Sequence, residues 1–170
     1  MKEVSLEHAA LIMWPFHQDV AEHYQYYDQL FSLDLNDARQ AQRAIESWLL
    51  PQVADWSDTG RALRMEACRV CISQNVAFSG YWLPGIEDRW KESGDMEEYR
   101  SDLAVFQKLA WRLIFGEVYV PAMLSDYVRR VDEGFESFPD FPEKWGGPCY
   151  ADWPASFVRA IDRRELPRPE

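Results

Sequence analysis

Apolar residues between Tyr99 and Leu113 recur at intervals of four, three, four and three: Tyr99, Leu103, Phe106, Ala110 and Leu113. An α-helix turns once every 3.6 residues or so, and this spacing therefore lays all five side chains along one face. Asp95 is placed to cap that helix, with Glu98 at capping-box spacing, and Gly116 is placed to stop it. Pro121 suits the first turn of a second helix, whose stripe of Leu124, Val128 and Val131 runs to Gly134. The pair predicts a helical hairpin.

The same period organises the rest of the chain. Residues 5–14 and 15–31 predict two helical pieces meeting at a proline kink. Asn36 or Asp37 can cap a third helix through Ala38, Ala41, Ile45, Trp48 and Leu49, which Pro51 bends or ends. Residues 60 to about 79 carry two apolar stripes. One is Leu63, Ala67, Val70, Gln74 and Phe78; the other is Met65, Cys68, Ile72 and Val76. A helix apolar most of the way round belongs in the middle of a fold. Strand alternation of useful length is missing, and its one short candidate, Glu117-Val118-Tyr119-Val120, is cut off by Pro121. Between residues 134 and 152 the residues Pro139, Pro142, Gly146, Gly147 and Pro148 exclude a long helix. Asp152 and Pro154 can open a last short helix through Phe157 and Ile161, and residues 166–170 are expected to fray. The predicted fold is all-α. It is a single irregular bundle of about six to eight helices over residues 1–170, with a Pro/Gly-rich strap before the last helix.

Composition narrows the functional classes. With 47% hydrophobic residues, 15% aromatic residues and eight Trp, the chain can bury a core and is not intrinsically disordered. Its 18 Lys and Arg face 29 Asp and Glu, a formal charge of −11. Reading a phosphate backbone requires a basic footprint, so direct nucleic-acid binding is disfavoured. Three cysteines, with no disulfide framework, no leader-like opening and no apolar run of spanning length, point to a reduced cytoplasmic protein that does not enter a membrane.

Few residues suggest catalysis, and no phosphate-binding loop, dinucleotide fingerprint or nucleophile elbow is present. Asp19, Glu22 and His23 would share a helix face, and carboxylate with imidazole suits a divalent metal. The paired Glu-x-x-His motifs of di-metal bundles are missing, so a solvated helix face is the plainer expectation, and no metal or cofactor is assigned. Cys68 and Cys71 match half of a zinc site by spacing, but they fall within an apolar helix, where thiols behave as small buried hydrophobes.

Two stretches combine acid with aromatic residues. The first is Asp132, Glu133, Phe135, Glu136, Phe138, Asp140, Phe141 and Glu143, in which a ring recurs every three residues with carboxylates between. Extended chain would hold those rings along one edge, either as interface anchors or as a strap packed on the bundle. The second is the first long helix. There Tyr24 and Tyr27 are expected on the buried stripe, and Tyr26 is expected outward beside Asp19, Glu22 and Asp28. The functional expectation is an acidic protein that occludes a basic protein partner, such as a toxin or a nucleic-acid-binding protein. Immunity and antitoxin proteins share this size, charge and helicity, as do phage-type inhibitors. The alternatives are a metal-dependent hydrolase using Asp19, Glu22 and His23, or a structural adaptor whose tryptophans supply interface area.

Overall fold

The computed structural model describes residues 2–129. Among them are seven α-helices: α1 (Glu7–Ile12), α2 (Gln18–His23), α3 (Tyr27–Phe31), α4 (Ala38–Ala44), α5 (Asp58–Gln74), α6 (Ile86–Ser93) and α7 (Met96–Phe115). The all-α expectation holds for these residues. The strap at 134–152, the last helix and the tail lie outside the described residues.

α7 forms as its period predicts. The Asp95 carboxylate accepts the N–H groups of Glu97 at 2.9 Å and Glu98 at 3.1 Å, and Gly116 ends the helix at φ +71°. Leu103, Phe106 and Ala110 are buried, Tyr99 and Leu113 half-buried, and Trp111, Ile114 and Gln107 widen the stripe. α5 starts at the Ser57 cap, lies along α1 and packs on α7, with Ala67, Cys68, Val70, Cys71 and Ile72 inside. It stops before the predicted end because Asn75 enters the left-handed region at φ +55°. Gln107 holds the chain that follows, accepting from the Phe78 N–H at 2.8 Å and donating to the Val76 carbonyl at 3.1 Å. Gln74 and Val76 are consequently exposed and Leu63 only half-buried, so both predicted stripes are shorter than expected. α4 is capped by Asp37 and runs into a π-helical turn (Ile45–Leu49), then a 3-10 turn (Leu50–Asp55) with Pro51 near its start.

Three expectations need correction. The piece expected over residues 5–14 forms as α1, but the long helix expected over 15–31 is divided into a 3-10 turn at Trp14–Phe16, α2 and α3, and the break after α2 is made by Gln25 at φ +61°. The second arm of the hairpin is not a helix where it is described. Residues 124–126 form a 3-10 turn and Tyr127–Arg129 a short strand (β2), while Val131 and Gly134 lie outside the described residues. β2 pairs in parallel with an N-terminal strand (β1, Lys2–Val4) in the register Lys2↔Tyr127, Glu3↔Val128 and Val4↔Arg129. Strands were not expected at all, and residues 117–120, the short candidate set aside because of Pro121, indeed carry no regular structure.

α6 is not among the helices that the period predicts. This helix starts where the Gly85 N–H donates to the Asp88 carboxylate at 2.8 Å, and it packs on α7. Gly85 sits at φ +83° so close to the α3–α4 connection that a Cβ there would lie 2.2 Å from Oδ1 of Asp34. The Leu35 N–H donates to the Pro84 carbonyl at 3.0 Å, tying that connection to the start of α6. The buried apolar side chains form one continuous cluster from Val4 through Phe16, Trp48 and Ile72 to Phe115.

Candidate functional site

Breaking the first helix has a consequence at the surface. The turn at Trp14–Phe16 brings Phe16 under the start of α2, where it is buried against Phe106 at 6.3 Å between ring centroids. His17 caps α2, its Nδ1 accepting the Asp19 N–H at 3.2 Å, so the ring proton belongs on Nε2. α3 then presents Tyr27 and Phe31 one helical turn apart, stacked with centroids at 4.5 Å. Across from them the loop before α6 brings Tyr81, which meets His17 edge-on at 5.0 Å, and Trp82.

These elements enclose a cleft of about 550 Å³. Its walls are Phe16, Tyr27, Phe31, Tyr81 and Trp82, and its polar lining is His17, Gln18, Asp19 and Asp88. Burial, and then the Glu7 carboxylate, hold the Tyr81 hydroxyl above the ordinary tyrosine range. A long acidic stretch of the chain supplies part of this surface. Residues 3–38, which include α1, α2 and α3, contain seven carboxylates and no Lys or Arg.

The predicted site residues fare differently. Asp19 lines the cleft, its carboxylate 4.0 Å from Nδ1 of His17. Glu22 is exposed on α2 and accepts from the Gln18 amide at 2.8 Å, and Asp28 is exposed on α3. Tyr26 is not outward. It is fully buried, stacked on Trp48 at 5.5 Å, with its hydroxyl donating to the Pro15 carbonyl at 2.6 Å. The left-handed turn at Gln25 rotates it inward, while Tyr24 and Tyr27, expected on the buried stripe, are only half-buried. Asp132, Glu133, Phe135, Glu136, Phe138, Asp140, Phe141 and Glu143 lie outside the described residues.

Asp19, Glu22 and His23 do not converge as a ligand set: among the described residues no group of three His, Cys, Asp or Glu side chains could hold a metal ion. Cys68 and Cys71 are buried, and burial, reinforced by Cys71, pushes the Cys68 thiol well up. A thiol held protonated in this way is a poor nucleophile.

Of the cleft residues only Asp19 is a candidate that the sequence offered; the others, His17, Tyr81, Trp82 and Asp88 among them, were missed. The signal within reach was the long stretch free of Lys and Arg. The meeting of that stretch with residues 81–88 is a tertiary event.

Two other polar clusters are structural. The Tyr127 hydroxyl donates to Glu66 at 2.5 Å, and Lys2 and Arg69 each lie 3.8 Å from the same carboxylate, locking β1 and β2 onto α5. The Tyr99 hydroxyl donates to Glu87 at 3.1 Å, joining α6 to α7, and Arg89 pairs with Glu98 and Asp102 across the same contact.

Fold and cleft together define an all-α framework that displays an acidic, aromatic-walled recess. No family model, curated protein or solved structure matches the chain. Among the described residues, no helix is long and apolar enough to cross a membrane.

Proposed function

We propose that the protein acts by binding a basic protein partner with its acidic N-terminal face, occluding that partner in the manner of an immunity or antitoxin protein. One observation carries the reading: residues 3–38 hold seven carboxylates and no Lys or Arg, and one of these carboxylates, Asp19, lines a cleft walled by aromatic rings. A field of one sign speeds encounter with a partner of the other sign, and desolvated aromatics slow its departure. The segment of Asp132, Glu133, Glu136 and Asp140 belongs to this reading through its charge. The experiment is recovery of the partner by pull-down at low ionic strength, followed by association kinetics over a range of salt. Replacing Asp19, Glu22 and Asp28 together with lysine slows association and flattens its salt dependence. An unchanged rate and slope, with the melting curve preserved, would remove the N-terminal face from the interface.

A further inference from the structure

We infer that the cleft is a seat for an arginine side chain of the basic partner, an inference that rests on the reading just given. Its volume of about 550 Å³ holds one long side chain with its flanking backbone. Tyr27, Phe31, Tyr81 and Trp82 offer aromatic walls, and ring faces attract a cation that has shed its water. Asp19 and Asp88 supply the carboxylates, and no Lys or Arg is among the residues lining the cleft. The Lys91 ammonium stands 6.0 Å from the Trp82 ring centroid, a resident cation that an incoming guanidinium displaces from that ring.

Guanidinium fits better than ammonium for physical reasons. It is planar, stacks on rings, is less tightly hydrated and meets a carboxylate through two parallel N–H donors. The same chemistry is used inside this fold. Arg64 lies over Trp56 at 4.6 Å, Arg69 over Trp111 at 5.3 Å and Arg61 over Phe115 at 5.5 Å.

The test is a titration of the full ¹⁵N-labelled chain with the blocked tripeptide acetyl-Gly-Arg-Gly-amide and its citrulline and lysine counterparts. Saturable amide shifts at residues 17–19, 81–82 and 88 are expected with the arginine peptide. Citrulline, equal in shape but neutral, binds at least about tenfold more weakly, and lysine falls between. Trp82→Ala and Asp19→Asn each weaken the arginine peptide about fivefold or more. Both side chains are well exposed, Trp82 at 40% and Asp19 at 64%, so neither change should disturb the melting curve. Equal binding of arginine and citrulline, unchanged binding in both variants, or no saturable shift would overturn the arginine seat. Glu22 and Asp28 lie outside the cleft lining and separate this outcome from the broader reading. If their replacement by lysine still slows association with the whole partner, only the seat is lost; if it does not, the broader reading fails as well.

Discussion

Tyr26 shows how one hydroxyl can fix a fold and disqualify a surface. Its O–H reaches the Pro15 carbonyl at 2.6 Å inside the core, bridging the two chain segments that flank α2. Tyr26→Phe leaves that carbonyl buried without its donor and should cost about 1–3 kcal/mol, read from the urea midpoint. Gly85 is the second residue whose identity is dictated by its surroundings. At φ +83°, with Asp34 and Leu35 against its Cα, Gly85→Ala combines backbone strain with a clash and should destabilise by at least about 1–3 kcal/mol. Because Gly85 lies between Trp82 and Asp88, that variant should also perturb the amide resonances of the cleft. Tyr127 and Tyr99 make a pH prediction. Burial comes first, followed by their carboxylate partners Glu66 and Glu87, in pushing each hydroxyl up to about 12. In the unfolded chain a tyrosine releases its proton near pH 10, about two units earlier. A raised folded value means that this stability is complete below about pH 10 and is lost as pH rises towards 12. The urea midpoint should therefore fall over that window, and less steeply in Tyr127→Phe.

At the scale of elements, capping residues and tertiary contacts divide the control of helix length. α7 begins and ends where Asp95 and Gly116 stand, and Asp95→Ala should remove about 0.5–2 kcal/mol by leaving the Glu97 and Glu98 N–H groups unpaired. Its buried stripe packs on α4, α5 and α6. Phe106, 1% exposed and packed on Phe16, should cost about 3–5 kcal/mol as Phe106→Ala. Denaturant unfolding checks both values, and the Phe106 change should also loosen the floor of the cleft. Elsewhere tertiary contacts override local pattern. Residues 75–79 kept an apolar period that reads as helix, yet Gln107 supplies partners to the Phe78 N–H and the Val76 carbonyl, and the helix ends earlier. The segment after Pro121 is the sharper case. Leu124 and Val128 have helical spacing, but both are exposed, and the backbone pairs instead with β1 from the opposite end of the described chain.

For the molecule as a whole, charge and shape come from different parts of the sequence. The acidic stretch is local, residues 3–38, whereas the cleft needs α2, α3 and the loop before α6 at once. The all-α class, the start of α4, the extent of α7, the Asp37, Asp95 and Gly116 boundaries and the burial of Cys68 and Cys71 were all legible in the sequence. They depend on period and on capping within a few residues. The break between α2 and α3, the inward turn of Tyr26, the parallel β1–β2 pair and the meeting of Asp19 with Trp82 were not legible. Each is settled by contacts between residues far apart in sequence or by a single left-handed residue such as Gln25. Local free energies for helix, turn and strand differ by only about 1 kcal/mol per residue, less than the burial of one aromatic ring returns. The sequence by itself therefore determined that the chain is helical and its N-terminal face acidic. Only the tertiary structure decided which rings and carboxylates face one another across the cleft, because that choice is made by packing.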